Sequence, residues 1–170
     1  MEVFKEQIVR KLPDKNDQIK KAAIIAGTVI VVLVCFVLLG YTPVGLMGII
    51  IAGLAVYGGY YLLTSTFVEY EYILTNGEMD IDKITAQRSR KRLATVDLSQ
   101  ATDFGEAGND LRVAGNETFI KADANDPQVK NYYIRLEHST LGKTVLLFSP
   151  NEDMLGFVKE CLPRNLRFGR

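Results

Sequence analysis

The stretch Phe67-Val68-Glu69-Tyr70-Glu71-Tyr72-Ile73-Leu74-Thr75-Asn76-Gly77-Glu78-Met79-Asp80-Ile81-Asp82-Lys83-Ile84 decides the fold of everything downstream of it. Over 67–74 apolar and polar residues alternate well enough for a half-buried strand. Asn76-Gly77 then supplies two residues that accept positive φ, as a two-residue hairpin turn requires. The chain returns over 78–84 with Met79, Ile81 and Lys83 on one face and acids on the other. A third extended stretch, 88–98, places Arg88, Arg90 and Arg92 on one side, because alternate strand residues share a face.

Further downstream, the Gly-rich acidic segment 103–110 reads as a loop, and 111–113 and 117–122 are short strand candidates joined by Ala114-Gly115-Asn116. The strongest late strands, 132–137 and 143–148, are joined by a turn at 139–142 and are predicted to pair. Ser149-Pro150-Asn151-Glu152 then offers a capping residue, proline at the first helical position and glutamate three after the cap. Met154, Leu155, Val158, Cys161 and Leu162 follow at helical spacing until Pro163 ends the run. The expected domain is therefore mainly β, a bent antiparallel barrel or sandwich of about seven strands capped by a C-terminal α-helix.

Upstream the composition changes. The chain of 170 residues has 20 basic and 20 acidic side chains, a net charge of zero that argues against a nucleic-acid partner. Yet the 47 residues between Lys21 and Glu69 carry no charge at all, where 24% charge overall would place about eleven. This excludes a wholly soluble protein. The run breaks at Gly40-Tyr41-Thr42-Pro43, since Pro43 lacks the backbone donor a continuing helix needs. Residues 22–40 and 44–63 thus read as two transmembrane helices, each about 30 Å long and matched to a bilayer's hydrocarbon layer. The first is β-branched and uniformly apolar. Along the second, Gly48, Ala52, Ala55 and Gly59 form a small-residue stripe that lets another helix approach closely, the first helix being the expected partner and a second copy the alternative. A cleaved signal peptide fits poorly, because the apolar stretch is too long and no small-residue cleavage site follows.

The short uncharged connection predicts that both chain ends emerge on one side. Lys5, Arg10, Lys11, Lys15, Lys20 and Lys21 precede the first helix and the connection has no basic residue, so that side is expected to be cytoplasmic in a multi-pass cell-membrane protein. Tyr41, Tyr57, Tyr60 and Tyr61 stand where aromatic rings favour headgroups. Within the N-terminal segment 1–21, Phe4, Ile8 and Leu12 at spacing four read either as a short amphipathic helix lying in the interface or as a tail whose charges set topology. Residues 66–170 are the expected cytoplasmic domain.

Two membrane helices, then Tyr70-Glu71-Tyr72-Ile73-Leu74-Thr75-Asn76-Gly77, then Arg88-Ser89-Arg90-Lys91-Arg92 resemble the bacterial pleckstrin-homology-like (PH-like) domain of small membrane proteins. The resemblance covers roughly Thr66 to Leu162, with Val96-Asp97-Leu98 where the family usually continues Ile-Pro-Leu, and with no tryptophan. It implies two nearly orthogonal antiparallel sheets with a C-terminal helix at one end.

Chemistry is sparse. The basic group Arg88, Arg90, Lys91 and Arg92 is the candidate lipid- or partner-binding site: near an anionic leaflet each cation is worth roughly 1 kcal/mol, and the link from Leu63 to the first strand is short. The competing reading is a solvated strand face balanced by Glu78, Asp80 and Asp82. From Glu69 onward 14 basic residues face 16 acidic ones, so any lipid binding has to be local. His138 stands alone before a turn, and no metal-ligand spacing, phosphate loop or nucleophile motif occurs. The acid pairs Asp80/Asp82 and Glu152/Asp153 fit an exposed strand and a helix N-terminus. Asn116-Glu117-Thr118 matches a glycosylation triplet that a cytoplasmic position rules out. Cys35 lies in the apolar run and Cys161 on the apolar face of the last helix. The expectation is a non-enzymatic integral membrane protein without cofactor or metal, presenting a module to membrane lipid or to protein. The alternative is an accessory subunit of a larger membrane complex such as a transporter, with another membrane protein docked on the small-residue stripe.

Overall fold

The computed structural model describes residues 4–41, 45–108 and 111–167. The chain forms two units: Pro13–Phe67, and a second that joins the segment before it to everything from Val68 on.

The first unit is a pair of helices, α1 (Lys15–Tyr41) and α2 (Gly45–Thr64). α1 begins seven residues before the expected Ala22, because Asp14 caps it: the Asp14 carboxylate accepts from Asp17 N at 2.7 Å, and the Asp17 carboxylate reaches back to Asp14 N. It runs through Gly40 to Tyr41, and the Thr42-Pro43 break lies outside the described residues, as does the Tyr41 side chain. At the other end the hydroxyls of Thr64, Ser65 and Thr66 donate to the carbonyls of Tyr61, Leu62 and Leu63, satisfying groups that a helix terminus leaves open. Within these helices Lys15–Leu38 and Met47–Thr64 are long and apolar enough to cross a membrane. Their large side chains point outward: Ile30, Leu33, Phe36, Ile50 and Leu54 are all more than half exposed.

The second unit consists of two four-stranded sheets. The first has the order β1 (Phe4–Arg10), β2 (Val68–Thr75), β3 (Glu78–Thr85), β4 (Ser89–Asp97), all antiparallel. The second has the order β5 (Ala101–Glu106), β7 (Tyr132–His138), β8 (Gly142–Phe148), β6 (Thr118–Ala122). Here β6 runs parallel to β8, so this sheet is not wholly antiparallel. The described residues thus hold eight strands. Helix α3 (Glu152–Cys161) inserts Met154 and Val158 into the core, and a single turn, α4 (Arg164–Arg167), follows.

Three sequence expectations are corrected. Phe4–Arg10 is a strand, not an interfacial helix: it pairs with β2 from Phe4↔Thr75 to Arg10↔Glu69, so the domain begins before the helices and not at 66. The segment around 103 is β5, while Leu111 to Val113 forms no strand. Asn151, not Ser149, caps α3, its side chain accepting from Met154 N at 2.8 Å. Ser149 is occupied elsewhere, donating to Asn131 Oδ1 at 2.6 Å and accepting from Ala124 N at 2.8 Å.

One side chain closes the sandwich. Tyr72, fully buried on β2, meets the Phe148 ring of β8 edge-on at 5.8 Å; its hydroxyl donates to Ala122 O and accepts from Ser149 N. Burial pushes that phenol far above its ordinary range, so it acts purely as a neutral hydrogen-bonding group. The N-terminal strand is fastened at the same place: Gln7 Nε2 donates to Ser149 O at 3.1 Å and Gln7 Oε1 accepts from Asn151 N at 2.9 Å. Lys5 pairs with Asp153, and Leu12 N donates to Ala124 O.

Candidate functional site

The basic group lies at the start of β4, the edge strand of the first sheet. Residues directly opposite across neighbouring strands share a side, so Arg92, Asp82 and Glu71 line up across β4, β3 and β2, and Arg90, Ile84 and Glu69 form the next row. This outward face holds two buried carboxylates, Glu71 and Asp82, 1% and 3% exposed. Each is covered by an arginine. Arg90 Nη2 lies 2.8–2.9 Å from both Glu71 oxygens. Arg92 pairs with Asp82 through Nε and with Asp80 through Nη1 at 2.7 Å, while its Nη1 also reaches Thr95. Those acids, Asp82 foremost, push the Arg92 guanidinium further up. Arg10 on β1 likewise pairs with Glu69.

The stripe is therefore a row of cations seated on a row of anions. Burial drives the Glu71 carboxyl up, the neighbouring Glu6 carboxyl adds to it, and Arg90 opposes both. Arg90 and Arg92 remain about half exposed, 55% and 48% by side chain, so each guanidinium keeps a solvent-facing edge. Lys91 points to the opposite side, across from Lys83, and is exposed. Arg88 sits at the hairpin turn before β4, where Ala86 and Gln87 both adopt positive φ, 55° and 56°.

In the helical unit the small-residue stripe lies against α1. Gly48, Ala52, Ala55 and Gly59 are half-buried, as is Gly58 beside them, matched on α1 by Ile24, Thr28, Val32 and the buried Cys35. At Gly59 a Cβ would overlap the Thr28 side chain. The helices meet as an antiparallel pair through residues small enough to let the backbones approach.

The remaining chemical candidates are spread apart. His138 Nδ1 accepts from Thr140 N and Leu141 N at 3.1 and 3.2 Å, which fixes it in a turn. Cys161 is half buried, and burial together with Glu160 pushes its thiol up, away from thiolate chemistry. Among the described residues no cluster of His, Cys, Asp and Glu could hold a metal ion.

Two four-stranded sheets with a C-terminal helix packed into their core define a PH-like domain, here interrupted after its first strand by two apolar helices. The chain belongs to the family described as a bacterial PH-like domain (DUF6106), whose model matches residues 1–168. Searches of the curated proteins and of the solved structures gave no match.

Proposed function

We propose that this is a non-enzymatic, two-pass membrane protein whose helical hairpin holds a PH-like module at the cytoplasmic membrane surface as an interaction platform for lipid or protein. The observation that carries the reading is the place of insertion. β1 and β2 are hydrogen-bonded neighbours, with Lys11 N donating to Val68 O at 3.0 Å, and the two apolar helices lie between them in the chain. Paired strands share a compartment, so the helices between them must cross an even number of times. Cleavage after α1 would also cut β1 from its own sheet, which speaks against a signal sequence. The outward apolar side chains of both helices suit lipid and would be a liability in water.

The basic N-terminal flank supports the cytoplasmic orientation. Arg90 and Arg92, half exposed on one face of β4, support contact with anionic headgroups there, while Lys91 looks to the other face. Gly59 of the small-residue stripe stands against Thr28 of α1, which supports packing within the hairpin.

Membrane extraction and thiol labelling test the reading together. With both native cysteines replaced by serine, a Ser139→Cys protein is expected to stay in the membrane pellet at alkaline pH. It should react with an impermeant maleimide only after the cells are opened. Release into alkaline carbonate, or labelling of intact cells, overturns the proposal.

A further inference from the structure

The first sheet ends at β4, and the free edge of that strand is not uniform. Its first half, Ser89-Arg90-Lys91-Arg92, carries the charges by which natural edge strands discourage pairing with other chains. A register shift opposite Ile81/Asp82 then sets Leu93 apart, and the second half, Leu93-Ala94-Thr95-Val96, has no charge.

That unprotected half forms one wall of a groove of about 750 Å³, within the range of ligand sites. The other wall is the end of β7 and the turn after it. β7 pairs with β5 only up to Leu136, whereas its pairing with β8 continues through Glu137 and His138. Glu137 and His138 therefore also present a free backbone edge. Two unpaired edges, one from each sheet, line the same groove at the seam where the sandwich stays open.

The walls set the charge of an occupant. Glu78, Asp97 and Glu137 line the groove and no lysine or arginine does. Asp97 is tied to Ser99 N and Oγ, while Glu78 and Glu137 are exposed. His138 accepts two backbone N–H groups at Nδ1, so its proton resides on Nε2 and it can only donate toward the groove.

We propose that this groove receives an extended Lys/Arg-bearing segment of another polypeptide, which adds to the second half of β4 as a fifth strand. Main-chain hydrogen bonds to the two free edges supply affinity, and alternate side chains directed at Glu78 and Glu137 supply selectivity. The groove begins where the basic group ends, with Arg92 next to Leu93 and bonded to Thr95, and the proposal rests on the platform reading only for its purpose. Peptide binding is measured on protein in detergent micelles, so it can fail while the membrane reading stands, and the reverse.

The experiment compares two synthetic hexapeptides, Lys-Val-Lys-Val-Lys-Val and Glu-Val-Glu-Val-Glu-Val, on the full chain by fluorescence anisotropy and amide hydrogen exchange. The basic peptide is expected to bind and to slow exchange at Leu93 to Asp97, with the acidic peptide silent. Glu137→Lys, at an exposed position, is expected to weaken binding at least fivefold while leaving exchange in β2 unchanged. Equal binding of both peptides, protection elsewhere than β4, or slow exchange at β4 without peptide that grows with protein concentration would overturn it, the last because a second copy would then cover the edge.

Discussion

The two hairpin turns of the first sheet differ at the level of single residues. Asn76 and Gly77 have φ of 49° and 94° and are suited to it. Ala86 and Gln87 occupy the same left-handed region with no such suitability, at a cost of about 1–2 kcal/mol per residue. Replacing them by Asn and Gly is expected to raise unfolding stability by at least about 1 kcal/mol, read as a higher urea midpoint at unchanged m-value. A lower midpoint would mean that Ala86 makes contacts worth more than the backbone relief.

Glu71 permits a test of sign. Its folded-state carboxyl is held above the ordinary range, chiefly by burial, so the native state binds its proton more tightly than the unfolded chain does. The stability it contributes is complete below the ordinary carboxyl range and is lost as pH rises through the raised value. Subtracting the pH profile of Glu71→Gln from that of the native chain is expected to leave a curve that falls with rising pH. A rising curve would show that Arg90 dominates.

At the scale of elements, the helix pair is held by shape. A side chain at Gly59 has to displace Thr28, so Gly59→Val is expected to cost about 1–3 kcal/mol of thermal stability in micelles, the usual penalty for overpacking. Adding Thr28→Ala should restore part of it, because the hydroxyl and methyl that stand closest are gone. Independent, additive effects in the double mutant would mean that the helices do not meet there.

Elements legible in the sequence were those whose pattern is local. The Asn76-Gly77 hairpin, β7 with β8, and the two apolar helices each carry their own period and turn signal. β1 does not. Its inward positions are Lys5, Gln7 and Val9, two of them polar because they reach Asp153 and the Ser149–Asn151 backbone, and its partner strand is separated from it by the whole helical hairpin. The outward Phe4 and Ile8 then imitate a helix face. β5 hid for a similar reason: Gly105 looks like a loop residue, yet it is there because the Tyr133 ring stands against it, about 3.1 Å from where a Cβ would be. In the basic group the common face of Arg90 and Arg92 was readable from alternation. Their partners were only half so: Asp80 and Asp82 sit on the adjacent strand, but Glu71 lies a strand further away and is reached only because the guanidinium spans β3.

For the whole molecule, the decisive feature is that the domain is closed by a strand on the far side of the hairpin. Because Lys11 and Val68 are already bonded, the hairpin can be excised without moving either. A chain in which residues 13–67 are replaced by a Gly/Ser linker of about six residues should be able to bridge that short gap as a flexible coil. It is expected to be soluble without detergent and to unfold in one cooperative transition, with the β2 amides protected from exchange. A fragment starting at Thr66 keeps every later strand but lacks β1. It should lose protection along the exposed edge of β2, leave Ser149 O and Asn151 N without Gln7, and self-associate through the uncovered strand. If the two proteins prove equally stable and equally monomeric, β1 contributes nothing to the domain. Nothing in the fold then holds β1 and β2 in one compartment, and the two chain ends are no longer required to lie on one side of the membrane.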